Sequence, residues 1–197
     1  MNSMLMAKYA RDEVDEALKH MEPLKAPGPD DLPPLFFQKF WLNIREKISQ
    51  TVLTCLNTGS IPPSINHTFI TLIPKVKSPT KVSEFRPIAL CNTIYKIVSK
   101  VIANRFKKVL PYIIFESQSA FQIDKAISDN ILIAFEMLHH MKIQKSKKAD
   151  FMTLKLDMSK AYDRVEWRFL TDIMRKMGFC ETWIKLIFNC KIGRAHV

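Results

Sequence analysis

One carboxylate, Asp157, stands at the C-terminal edge of the apolar run Phe151-Met-Thr-Leu-Lys-Leu-Asp157, just before the chain turns helical. Strand ends are rigid places from which to hold a metal ligand. Magnesium takes hard oxygen donors in octahedral geometry, and phosphoryl transfer uses two such ions to activate the attacking oxygen and stabilise the leaving one. A carboxylate bridging both ions is the least such a centre needs. An Asp at a strand end also has a plainer use, capping the next helix, which Ser159 serves equally well. Other chemistries find less support. Cys55, Cys91, Cys180 and Cys190 form no Cys-x-x-Cys pair and have no His at zinc spacing. With 4 glycines there is no glycine-rich phosphate loop, and spacing singles out no Ser-His-Asp set.

The elements that must position such residues follow from periodicity. Ala10, Val14, Ala17, Leu18 and Met21 fall at helical spacing before Pro23. Lys25 to Pro34, rich in proline, reads as a stiff turn that can be neither helix nor central strand. Phe36, Phe37, Phe40, Trp41, Ile44, Ile48, Val52, Leu53 and Leu56 trace one helical stripe up to Gly59. His67 to Pro74 reads as a strand, Lys75 to Glu84 as a basic loop, and Thr93 to Leu110 as a second amphipathic helix that Pro111 ends. Ser128 or Asp129 caps a third helix through Leu138, Lys142 to Lys148 is a basic linker, Phe151 to Asp157 a strand, and the remainder helical. The whole reads as one α+β unit.

Two blocks carry a resemblance. Leu156-Asp-Met-Ser-Lys-Ala-Tyr-Asp-Arg-Val165 resembles the first palm motif of reverse transcriptases of the non-LTR and group II intron type. Phe85-Arg-Pro-Ile-Ala-Leu-Cys-Asn-Thr-Ile-Tyr-Lys-Ile97 is similar to their fingers signature. Together they look like the reverse transcriptase domain of a plant-like non-LTR (LINE-type) retrotransposon, truncated after the first palm motif. The resemblance implies a right-hand polymerase, here incomplete: fingers over about 25–148 and the start of the palm over about 149–190. Within it Asp157 is the catalytic magnesium ligand and Met158 lends a backbone carbonyl to the metal. Tyr162 stacks beneath the incoming sugar and clashes with a 2′-hydroxyl. Arg86 forks onto the triphosphate, since a planar guanidinium binds phosphate bidentately, with Lys75 as an assisting point charge. Asp163 and Arg164 match the motif and are expected to brace the new helix rather than take part in catalysis.

A third stretch, Gln118-Ser-Ala-Phe121 with Ile127-Ser-Asp-Asn130, resembles the template-contacting segment, so Gln118, Phe121, Lys125 and Asn130 are implied template ligands. The family writes Gly-Arg where this chain has Asp124-Lys125, which gives up easy positive φ and bidentate phosphate recognition. Asp31 likewise stands where the Gly-Pro-Asp-Gly turn has glycine. The family's aromatic-x-Asp-Asp pair has no counterpart, because no Asp-Asp follows Asp31. Lys191 to Val197 resembles a translated sequencing adapter and is expected to be a non-native tail.

Charge agrees with a polyanionic partner. The chain carries +11 with 30 basic and 19 acidic residues, and residues 67–148 hold 14 basic against 5 acidic. Such a segment grips phosphate backbone in a salt-sensitive, sequence-independent way. Expected partners are an RNA template, a DNA primer and a deoxynucleoside triphosphate, with Mg2+ as cofactor. No apolar run is long enough to span a membrane, and the expected location is intracellular, in cytoplasm or nucleus. The expected function is RNA-directed DNA polymerisation in a longer parent, without turnover by this chain. The rivals are a non-catalytic basic nucleic-acid-binding remnant and a pseudogene product.

Overall fold

A computed structural model of the chain describes residues 1–115, 117–119, 125–143, 152–156, 158 and 161–191, apart from the side chains of Ile127, Tyr162 and Asp163. The elements run α1 (Asn2–Met6), α2 (Arg11–Lys19), α3 (Pro34–Lys39), α4 (Trp41–Thr58), α5 (Pro63–Asn66), β1 (Thr68–Pro74), β2 (Phe85–Cys91), α6 (Thr93–Lys107), α7 (Leu110–Ile113), α8 (Ile127–Ile143), α9 (Ala161–Arg164), α10 (Trp167–Lys176) and α11 (Glu181–Asn189). The single α+β unit expected from sequence resolves into two compact units: residues 1–107 with 171–197, and residues 108–170.

The first unit is built around α6, against which α1, α2, α4 and α5 pack. Of the residues the 3.6-residue period places inward, Ile97, Val98, Val101 and Ile102 are buried while Ile94 and Phe106 are half-buried, and Tyr95, which it did not select, is buried with them. They meet Val14, Ala17 and Leu18 of α2 and Val52, Cys55 and Leu56 of α4, all buried. Phe106 lies against Phe179 and Trp183 at ring-centroid distances of 5.9 and 6.3 Å. Arg105 is the exception in this core. Only 6% exposed, it ion-pairs with Glu13 through Nε at 2.6 Å and Nη2 at 2.7 Å. It stacks its guanidinium 3.5 Å over the Tyr9 ring and donates to the carbonyls of Leu5, Ala7 and Lys8. A buried guanidinium is tolerable only when paired and hydrogen-bonded to this extent. The four cysteines are unpaired, and burial pushes the Cys190 thiol up to about 12.

Several expectations shift. The stripe from Phe36 to Leu56 divides into α3 and α4, because Phe40 leaves the helical region at φ −99°, ψ 15°. Gly59 does close α4, in the left-handed conformation at φ 69°. Pro111 lies in the first turn of α7, where its missing N–H costs nothing, and α6 has already ended at Lys107. Met152 to Leu156 are not a strand: they are exposed and unpaired in any sheet, and an extended segment without a ladder partner has nothing to hold it as one. Phe151 and Asp157, the ends of that expected strand, lie outside the described residues.

Among its described residues the second unit buries little. In α8, Ile131, Leu132, Ile133, Phe135, Met137 and Leu138 are each at least 53% exposed. The helix starts at Ile127, ahead of the expected caps Ser128 and Asp129, and Asp129 lies in its first turn, where its carboxylate accepts from the Ala126 N–H at 2.9 Å.

Candidate functional site

The one sheet among the described residues is the antiparallel pair β1–β2, and it carries two of the expected phosphate ligands. Its register sets Thr68 opposite Cys91 and Ile73 opposite Arg86, and the ladder continues as the Lys75 N–H donates to the Glu84 carbonyl at 2.7 Å. Side chains alternate faces with period two, so Arg86, Ile73 and Lys75 share a face, with Arg86 and Lys75 as diagonal neighbours. That spacing is roughly 7–8 Å between Cβ atoms, within reach of one polyphosphate for two long cationic side chains. Arg86 is exposed and has no ion-pair partner among the described residues. Lys75 is held more firmly, its Nζ donating to the Ser83 carbonyl at 3.0 Å.

The loop joining the strands is ordered by one carboxylate that the sequence did not single out. Glu84 accepts from the amides of Thr80 at 2.6 Å and Lys81 at 3.1 Å, and these bonds hold its carboxyl below the usual carboxylate range. Lys81 to Glu84 therefore close as a short 3-10 turn. A Glu three residues after Lys81 at a helical start was the available signal.

The remaining expected residues belong to the second unit or lie outside the described residues. Gln118 and Asn130 are exposed, and the Gln118 N–H donates to the Phe115 carbonyl at 3.0 Å. Asn130 Nδ2 donates to Ser119 Oγ, which joins the two halves of the expected template segment through a residue not foreseen as a partner. Lys125 is exposed and engaged in an interaction of its own. Met158 is 63% exposed in irregular chain, and Tyr162 lies in α9. Asp157 and Phe121 lie outside the described residues, as do residues 192–197 of the expected tail.

Among the described residues no three His, Cys, Asp or Glu side chains cluster to hold a metal. The Met158 carbonyl and the Asp157 carboxylate are hard oxygen donors that suit magnesium in kind, but they are fewer than an octahedral site needs. No described helix is long and apolar enough to cross a membrane.

Comparison with known proteins gives this hairpin its context. The family described as reverse transcriptase (RNA-dependent DNA polymerase) matches residues 73–196, a span that begins in β1 and includes every expected site residue. The chain is 32% identical over 168 residues to the uncharacterized 149 kDa protein of transposon TX1 of Xenopus laevis, covering 85% of this chain and 13% of that protein. It is 24% identical over 168 residues to a retrovirus-related Pol polyprotein from a type-2 retrotransposable element of Drosophila melanogaster, covering 85% of this chain and 15% of that protein. The chain therefore spans well under a fifth of the length of either relative. The family match covers most of the chain, one relative is a transposon protein and the other a Pol polyprotein of a retrotransposable element, and the chain belongs to the reverse transcriptase family, in its non-LTR retrotransposon branch.

Proposed function

We propose that the chain is the fingers and the start of the palm of an RNA-directed DNA polymerase, with fingers over about 25–148 and palm from about 149. In a longer parent it acts on an RNA template, a primer 3′-hydroxyl and a deoxynucleoside triphosphate. The observation that carries this reading is the hairpin: Arg86 and Lys75 share one face of β1–β2 in a chain whose family uses triphosphates. Arg86 supplies bidentate phosphate recognition, and Lys75 a point charge already fixed in direction by the Ser83 carbonyl.

Catalysis of phosphoryl transfer is mostly positioning and charge neutralisation. Asp157 and the Met158 carbonyl would hold magnesium, which when bound neutralises charge on the triphosphate. Tyr162 excludes a 2′-hydroxyl. Gln118, Phe121, Lys125 and Asn130 hold the template, and the Asn130–Ser119 bond keeps the two parts of that segment in register. The chain carries no Asp-Asp pair after Asp31 and has no turnover by itself.

The test is primer extension on an RNA template by this sequence joined to a continuing frame that includes an aromatic-x-Asp-Asp motif. Extension abolished by Asp157→Asn and weakened through KM by Arg86→Ala supports the reading. Salt-sensitive RNA binding without extension supports the non-catalytic remnant instead.

A further inference from the structure

The turn from Lys25 to Pro34 is more than a stiff connection. Asp30 Oδ2 accepts from the N–H of Thr93, the first residue of α6, at 2.8 Å. The Asp30 N–H in turn donates to Asn92 Oδ1 at 3.0 Å, and Asp30 Oδ1 accepts from the Gly28 N–H at 3.3 Å. Asn92 Nδ2 donates to the carbonyls of Ser64 and Ile65 at 2.9 and 3.2 Å, just before β1 begins. Thr93 Oγ1 donates to the Leu32 carbonyl and Lys96 Nζ to the Ala26 carbonyl, each at 2.6 Å. A helix start normally finds its cap on its own preceding residue. Here Asp30, more than sixty positions upstream, supplies the carboxylate.

Backbone contact tightens the same joint. A Cβ on Gly28 would lie 2.3 Å from the Cys91 carbonyl carbon and 2.4 Å from the Asn92 nitrogen, so only glycine lets the turn approach this peptide. Cys91 is the last residue of β2 and pairs with Thr68, the first of β1. Both strands of the hairpin are therefore rooted where Asn92 ties Ser64, Ile65 and Asp30 together. From that root Arg86 stands five residues out, about 17 Å at the rise of an antiparallel strand. A tilt of roughly 10° at the root would carry it about 3 Å, enough to spoil a bidentate grip.

We propose that the turn is a positioning element: Asp30, Asn92 and Lys96 fix the angle at which the hairpin presents Arg86 and Lys75 to a triphosphate. The proposal rests on Arg86 and Lys75 being triphosphate ligands, as stated under Proposed function. The test titrates the full 197-residue chain with inorganic tripolyphosphate, and separately with a single-stranded RNA oligonucleotide, below the melting temperature of every variant. Arg86→Ala weakens tripolyphosphate binding about tenfold, Asp30→Ala about fivefold and Lys96→Met about twofold to threefold, while RNA affinity changes by less than about twofold. Asp30→Asn, which keeps an acceptor for the Thr93 amide, recovers part of the loss. A loss of stability alone would leave tripolyphosphate affinity unchanged at that temperature.

If Arg86→Ala weakens binding and neither Asp30→Ala nor Lys96→Met does, the positioning role is overturned while the ligand assignment stands. If Arg86→Ala has no effect, the ligand assignment fails and the proposal with it. Should Asp30→Ala fail to fold, the partly exposed Lys96→Met decides alone.

Discussion

The two units of this chain use similar side chains to different ends. In the first, Ile97, Val98, Val101, Val52 and Trp183, drawn from three helices, are at most 1% exposed. In the second, α8 carries Ile131, Leu132, Ile133, Phe135 and Leu138 with more than half of each side chain in solvent. An amphipathic helix needs one covered face, whereas a run such as Ile131-Leu-Ile-Ala-Phe135 presents apolar groups around most of its circumference. Apolar content alone therefore says nothing about where stability resides. The first unit has a core with the hydrogen-bonded Arg105 network inside it, and the second has exposed apolar area that contributes little to its own folding.

The largest expected effect tests that contrast at Arg105. Arg105→Ala takes the guanidinium away from Glu13, from the carbonyls of Leu5, Ala7 and Lys8 and from the Tyr9 ring, at a cost of about 3–5 kcal/mol. The thermal midpoint of the full chain should fall accordingly, and a loss below about 1 kcal/mol would mean the network is ornamental. Next comes pH. Burial pushes the Tyr9 phenol up to about 12, with the Arg105 charge pulling it only partly back. The unfolded phenol ionises near 10, so the stability tied to neutral Tyr9 is full below that value and is lost as pH rises from 10 to about 12. The loss is on the order of 2–3 kcal/mol, and Tyr9→Phe should flatten alkaline denaturation curves in that window. A pair of core truncations then compares the units directly: Val98→Ala should cost about 2 kcal/mol, and Ile133→Ala less than about 1. Equal losses in chemical denaturation would erase the distinction.

Which parts were legible in the sequence follows the same division. The faces of α2, α4 and α6 were readable because each buries one stripe, and β1 from its β-branched run, whereas its pairing and register with β2 came only from the structure. The roles expected of Arg86, Asp157 and Tyr162 come only from family resemblance, since an exposed Arg or a lone Asp has no periodic signature. The long-range bonds were not readable at all. Nothing local marks Asp30 as the cap of a helix at Thr93 or Arg105 as the partner of Glu13, because each pairing exists only once tertiary packing has brought distant segments together. The expected strand at Met152 to Leu156 failed for the complementary reason: β-propensity describes a fit to neighbours, and no neighbouring strand accompanies it among the described residues.

The smallest effect sharpens the comparison from the favourable side, at Asp31. Its backbone sits at φ 52°, the one non-glycine residue with positive φ among those described, and its N–H closes the turn onto the Gly28 carbonyl at 3.0 Å. Left-handed backbone crowds a Cβ, and Asp is among the residues that tolerate it best. The family turn has glycine at this position, so the chain holds a strained residue inside an otherwise tightly bonded joint. Asp31→Gly relieves the strain but gives the unfolded chain more freedom, and the two partly cancel. The expected net gain is about 0.5–1 kcal/mol, read as a rise in the denaturant midpoint with an unchanged m-value. Asp31→Ala, which keeps the Cβ and loses the tolerant side chain, should move the midpoint the other way. If both substitutions lower it, the Asp31 carboxylate contributes something the backbone angle does not capture, and strain is the wrong account of this turn.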